Sequence, residues 1–257
     1  MEKQDVSDMV TNLGDLRYWY QRIEVDGEVT PVFNKEMAET AFYNQGKWEY
    51  FIKPLIPFAP EGRIFVECGC NAGLFLLLAA EMGFSTVLGL EGDDGWYQQA
   101  CFILEYYQGR QPEIYRRVSL ALSRIGKAGE GASKSCTIQS SCLARDWSSL
   151  PRADLTLLAN VLYWIDRESA GRYIAELARS SDYCIVVSVN GSYPLGGPCS
   201  REEVCHAFKN DWEEVESVSP PQLEAGERGR DMFSILFRSR VLSSEHDGNS
   251  SGQRAGL

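Results

Sequence analysis

The sequence predicts an α/β protein: a mostly parallel sheet with helices on both faces, preceded by an aromatic-rich, helical N-terminal extension. Three observations predict it. From residue 63 onward, short apolar runs of strand length alternate with longer runs of helical period. Alternation of this kind builds parallel sheets, whose strands are buried on both faces. The length, 257 residues with 44% hydrophobic and 24% charged, suits one such domain and excludes whole-chain disorder and a collagen-like repeat.

The elements follow in order. Residues 1–60 form the extension, and the first fifteen read as a loosely packed start. Tyr18, Trp19, Tyr20, Phe33, Phe42, Tyr43, Trp48, Tyr50, Phe51 and Phe58 crowd this region. The stretch from Glu36 to Ile52 has helical spacing, and Pro54 and Pro57 end it. RIFVEC (63–68) reads as a buried strand, and LFLLLAAEM (74–82) as a helix stopped by Gly83. STVLGLE (85–91) is a second strand. DDGWYQQACFILEYYQG (93–109) is a helix opened by acids and closed by glycine. A helix is expected from Glu113 to Ile125, a loop over 126–135 and a strand over 136–143. DLTLLANVLYWI (154–165) is a strand running into a loop, DRESAGRYIAELARS (166–180) a helix, and YCIVVSVN (183–190) a β-branched strand. Ser200 caps the helix of REEVCHAFKNDW, with Glu203 completing a capping box. WEEVESVS (212–219) and DMFSILFRSR (231–240) are the last strands. Residues 61–242 therefore make the main domain, and 243–257 a disordered tail.

Composition limits the partners. The net charge is -11, from 25 basic and 36 acidic residues, which disfavours DNA and broad phosphate-backbone binding. One basic stretch runs against this: Arg110 to Arg152 holds eight basic residues and three acids, a solvated face or a local RNA contact. The longest uncharged run, between Glu67 and Glu81, is too short and too broken by glycine for a membrane span. The polar, acidic N-terminus is unlike a secretory signal, so a cytoplasmic location is expected. Cys68, Cys101 and Cys184 sit in apolar runs and no CxxC occurs, so the eight cysteines read as free thiols. No paired Cys/His spacing suggests a metal, and only His206 and His246 are available.

The chemistry concentrates at the end of the first long strand. Glu67-Cys68-Gly69-Cys70-Asn71-Ala72-Gly73 leads at once into a helix, and ligands of open α/β sheets bind beyond such strand ends. The next strand ends at Glu91, 24 residues after Glu67, where a carboxylate accepts both hydroxyls of a ribose. A dinucleotide motif needs glycine where Asn71 and Leu74 stand, and no GK[ST] follows, so a pyrophosphate is excluded. An acid two residues before the first glycine suits a cation instead. S-adenosylmethionine (SAM) carries an ammonium, a sulfonium and a ribose, which together meet these demands.

These motifs resemble those of the class I SAM-dependent methyltransferases, over roughly residues 60–240. FVECGCNAG resembles their glycine-rich motif, with Asn71 in place of the middle glycine. GLEGD resembles their ribose-binding segment, and ANVLYWI the motif after the fourth strand. The resemblance implies a Rossmann-like seven-stranded sheet with one reversed strand, and in-line methyl transfer. Within that superfamily, WYQRIEVDGEVTP (19–31), GKWEYFIKPLIP (46–57) and NVLYWI (160–165) are similar to the tRNA wobble-uridine alkyltransferase family, which makes 5-carboxymethoxyuridine. In that family a Lys-Trp-Asp/Glu element precedes the glycine-rich motif and a Val-Leu-Tyr-His element follows the fourth strand. Here Lys47-Trp48-Glu49 and Val161-Leu162-Tyr163-Trp164 stand in those places, with Trp164 replacing the histidine.

Each residue then has an expected role. Glu67 holds the amino end of the cofactor, Gly69 and Gly73 allow close backbone approach, and Asn71 adds a side-chain hydrogen bond. Glu91 takes the ribose, Gly92 and Asp93 flank the adenine, and a side chain near Cys142 touches its edge. Asn160 lies near the transferring methyl. Tyr163 and Trp164 line the acceptor pocket or pack as core, and Tyr18, Tyr20, Lys47 and Trp48 form a lid or pack as core. Holding a nucleophile in line supplies much of the rate, so no catalytic base is assigned. Three functions follow: methyl transfer to a small molecule, first because of the acidic surface and aromatic lid; methyl or carboxymethyl transfer to tRNA; and non-catalytic cofactor or partner binding.

Overall fold

A computed structural model of the chain describes residues 3–32, 45–123, 152–189, 196–218 and 232–241. The N-terminus is ordered as a helix, α1 (Lys3–Leu16), rather than the loose start expected. Its Val6, Val10 and Leu13 repeat at helical spacing and join the core. A hairpin follows, β1 (Glu24–Val25) and β2 (Glu28–Val29), closed by Asp26 and Gly27, both at positive φ as a two-residue turn requires. The next described segment is one continuous helical run: Gln45–Lys47 is α-helical, Trp48–Ile52 π-helical and Lys53–Leu55 a 3₁₀ turn. Pro54 sits inside that last turn, where its missing N–H costs nothing.

The described chain continues with β3 (Ile64–Cys68), α2 (Leu74–Met82), β4 (Thr86–Glu91), α3 (Asp94–Arg110), β5 (Val118–Leu122), β6 (Ala153–Ala159), α4 (Arg167–Ser180), β7 (Ser181–Val189), α5 (Arg201–Phe208), β8 (Trp212–Val218) and β9 (Met232–Ser239). Its sheet has the order β5-β4-β3-β6-β7-β9-β8, parallel from β5 to β7, with β9 antiparallel to both neighbours. The chain steps outward from β3 to β5 and returns to β6, so strand order reverses between β3 and β6. Ligands bind beyond the strand ends at such a point.

Two cores lie on the two faces. One packs α1, the 45–55 run, α2 and α3 against Phe65, Val87 and Leu155, and the other packs α4 and α5 against Val66, Leu88 and Val186. The extension is fastened to α3. The Tyr106 hydroxyl accepts from Asp26 N at 2.7 Å, the Tyr107 hydroxyl donates to Glu24 O at 2.7 Å, and Arg110 pairs with Asp26 at 2.6 Å. Gln99 on α3 donates to the carbonyls of Leu13 and Arg17 at the end of α1. The Ser200–Glu203 capping box is formed.

One expected element is overturned. The described part of the expected 113–125 helix, residues 113–123, is not one helix: a helical turn, Pro112–Tyr115, gives way to β5. Ile114, Val118 and Ala121 mimic helical spacing, but Val118 and Leu120 alternate with Ser119 and the run is buried as the sheet's edge beyond β4. The loop and strand expected over 126–143, the helix over 36–44 and the tail 243–257 lie outside the described residues.

Candidate functional site

The turn after β3 is built from three positive-φ residues, Gly69 (φ 73), Asn71 (φ 53) and Gly73 (φ 89). Gly69 and Cys70 donate their N–H to Leu90 O at 2.7 and 3.0 Å, tying the turn to β4. A Cβ on Gly69 would stand 2.6 Å from Val161 Cγ2, so the glycine admits the loop after β6. The Asn71 side chain stabilises its own turn, its Oδ1 accepting from Ala72 N at 2.8 Å. Gln21 reaches from the extension to accept from Leu74 N at 2.9 Å, capping α2 where Gly73 has no side chain to do so.

Strand alternation sets the two carboxylates. Phe65 faces the core of α1, α2 and α3, so Glu67, two residues on, projects to the same side. Val87 faces that side too, and so does Glu91. Both acids are buried, Glu67 at 1% and Glu91 at 6% exposure. Glu67 lies under the helical run carrying Lys47, itself buried at 2% exposure. Burial, then the neighbouring charge of Glu91, pushes the Glu67 carboxyl well above the ordinary range, and Lys47 opposes the shift. Burial lowers the Lys47 ammonium to about 8 against the attraction of Glu67. Glu67 Oε2 has no hydrogen-bond partner among the described residues. A buried carboxylate oxygen left in this way costs free energy until a donor arrives.

Glu91 is better satisfied. Its Oε2 accepts from Asn71 N at 2.7 Å, and its Oε1 from Gly92 N at 2.7 Å and Asp93 N at 2.9 Å. Burial still raises its carboxyl, against those three bonds. A carboxylate has about four acceptor positions, so one on Oε2 is left for a ligand hydroxyl. A second hydroxyl has to displace one of the amides.

These groups open onto one cavity of about 680 Å³. Of the residues expected at the cofactor, Glu67, Gly69, Asn71, Glu91, Gly92 and Asn160 line it. Tyr20, Lys47, Tyr163 and Trp164, expected at the acceptor, line it as well. Three residues stand elsewhere. Gly73 is buried at the start of α2. Asp93 caps α3, accepting from Gly95 and Trp96 N at 3.0 and 3.1 Å, and meets Arg17 at 3.6 Å. Trp48 is core, 6.1 Å from Phe65 and 6.3 Å from Phe75 between ring centroids. Successive helical residues point about 100° apart, so Lys47 reaches the cavity while Trp48 turns into the core. Cys142 lies outside the described residues; the end of β5 contributes Ser123 to the wall.

Gln21, Trp96 and one whole helix face also belong to the site, though no sequence motif marks them. Trp96 meets Tyr18 edge-on at 5.6 Å, with Arg17 4.3 Å over the indole. Ser169, Arg172, Tyr173 and Glu176 of α4 also line the cavity, at spacings of three, four and seven. Across from α4, Asn160 ends β6 at φ 60, and its buried Oδ1 has no partner among the described residues.

The sheet order, with its single reversed strand beside five parallel ones, is that of a Rossmann-like seven-stranded α/β fold. Solved structures share it. The N-terminal domain of EvdMO1, crystallised with SAH bound, is 17% identical with a TM-score of 0.56, over 93% of this chain and 98% of that one. A structure of EvdMO1 is 19% identical at a TM-score of 0.51, over 93% of this chain and 48% of that one. A SAM-dependent methyltransferase from Aquifex aeolicus is 15% identical at a TM-score of 0.50, over 75% of this chain and 92% of that one. No protein-family model and no curated protein matches the chain.

Proposed function

We propose that this protein is a SAM-dependent methyltransferase acting on a small-molecule acceptor. The observation that carries the reading is the pair of buried acids at the ends of adjacent strands, one with an unpartnered oxygen, opening on a single cavity. A cationic nucleoside fits that donor set. Glu67 suits the ammonium of the cofactor's amino-acid end, and Lys47, in the same wall, suits its carboxylate. Glu91 takes a ribose hydroxyl at its remaining acceptor position. Gly92, Trp96 and Ser123 lie beside it for the base.

The bound cofactor supplies an electrophilic methyl on a good leaving group. The chain's own work is then to bind, orient and exclude water. Asn160, held at a positive φ by its N–H bond to Val187 O at 2.9 Å, offers an acceptor atom that aligns the incoming nucleophile. Tyr18 and Tyr20 of the extension line the same cavity and shield it from solvent.

A small acceptor suits the enclosure, since small-molecule sites run ~300–1,000 Å³. The described part of the basic stretch also favours it over RNA. Arg110 pairs with Asp26, Arg152 with Asp182, and Arg117 donates to the carbonyls of Phe84 and Glu113. Those three cations serve the fold, and Arg116 is exposed. Methyl-labelled SAM incubated with cell extract tests the reading: label in the small-molecule fraction supports it, and label confined to RNA or protein refutes it.

A further inference from the structure

The acceptor end of the cavity has a chemistry of its own. One side of it is the α4 face bearing the buried Ser169 and the exposed Arg172 and Glu176. Its rim is Trp164, whose side of the cavity is set by the 3₁₀ turn Leu162–Trp164 after β6. Trp164 is 60% exposed, the other large aromatic of that turn, Tyr163, only 5%. An indole shown to solvent at a cavity mouth forgoes burial that a core tryptophan gains. Arg172 is held along α4 by Glu168 Oε1 at 3.3 Å and Ser169 Oγ at 3.4 Å, two of its five donors. Glu176, one turn further, carries acceptors only. Asn160 adds its unpartnered buried oxygen.

A flat apolar surface edged by both donors and acceptors selects its ligand. With Glu67, Glu91 and Lys47 given to the cofactor, an anionic acceptor meets the carboxylate of Glu176 and a cationic one the guanidinium of Arg172. A purely apolar aromatic ring covers Trp164 but offers no hydrogen-bond partner to the remaining donors of Arg172 or to the acceptors of Glu176. A saturated ring with hydroxyls at its edge satisfies all of them. Resting on the methyl-transfer reading above, we infer that the acceptor is a neutral, polyhydroxylated ring of sugar type. Its C–H face lies on Trp164 and its hydroxyls meet Arg172, Glu176 and Asn160. Ser169 positions Arg172 rather than touching the ring.

The test uses the full chain loaded with SAH, with binding of SAH measured by calorimetry in the same samples. Saturation-transfer NMR is then recorded with methyl β-D-glucopyranoside, catechol and glucose 6-phosphate as probes. The inference expects the strongest transfer to the glucoside, greatest at the axial protons of one ring face. Trp164→Ala lowers that transfer about fivefold, the worth of one aromatic contact. Trp164→Phe retains most of it, and neither variant shifts SAH affinity more than about twofold. A chain that binds SAH but gives no glucoside signal overturns the ring assignment and leaves methyl transfer standing. So does an unchanged signal in Trp164→Ala, or catechol or the phosphate matching the glucoside. A chain that does not bind SAH overturns both.

Discussion

Glu91→Gln separates the two jobs of the carboxylate at the end of β4. Gln keeps the volume and the Oε1 that accepts from Gly92 and Asp93. It puts an amide NH₂ where Oε2 accepts from Asn71 N at 2.7 Å, setting donor against donor. An orphaned N–H costs ~1–3 kcal/mol. Neutralising a buried acid whose carboxyl is already raised returns part of that. The net loss is about 1–2 kcal/mol, or a melting temperature lower by roughly 2–6 °C in a chain of this size. Ligand affinity responds separately. One charge-assisted bond to a hydroxyl is worth ~1.5–3 kcal/mol, so SAH binds about 10- to 100-fold more weakly. Adenosine, which keeps the ribose and base but lacks the amino-acid end, weakens by the same factor in calorimetry. A variant that melts with the wild type and binds SAH within about twofold would refute the reasoning.

Three further outcomes follow. Glu67→Gln changes the pH dependence of stability. The folded pKa of Glu67 is raised, so its contribution is present below the ordinary value of 4.5 and lost as pH rises through the folded one. The variant therefore gains on the wild type from pH 5 upward in melting scans, and parallel curves contradict this. Gly69→Ala forces a Cβ to 2.6 Å from Val161 Cγ2 at φ 73. It costs about 2–4 kcal/mol in denaturant titrations, of which a second change, Val161→Ala, restores the steric part. Trp48→Ala empties a buried site between Phe65 and Phe75 and costs about 3–5 kcal/mol. Where it folds it keeps SAH affinity, and a large loss of affinity places Trp48 at the ligand after all.

All strands of the sheet except β5 were legible as short runs of strand length, and the two acids because each ends an apolar run just before a glycine. The Ser200 cap was legible for a local reason: it precedes a helix whose first N–H groups need acceptors, with Glu203 three residues on. What was lost depends on partners distant in sequence. The polar α1 reads as loose until Val6, Val10 and Leu13 are counted at their helical spacing. The strand β5 was hidden because Ile114, Val118 and Ala121 fit a helix, and only pairing with β4 decides between the two periods. Asp93 was given to the adenine, yet its carboxylate is engaged by Gly95, Trp96 and Arg17. The α4 face was readable in principle from the spacing of Ser169, Arg172, Tyr173 and Glu176. Nothing local tells that this polar stripe faces a cavity instead of solvent.

A crystal grown with SAH tests the central claim most directly. The account predicts ligand density beyond β3 and β4, with the ammonium within hydrogen-bond distance of Glu67 and a ribose hydroxyl on Glu91. An empty cleft, or a nucleoside lying the other way round with its base against Glu67, would contradict it.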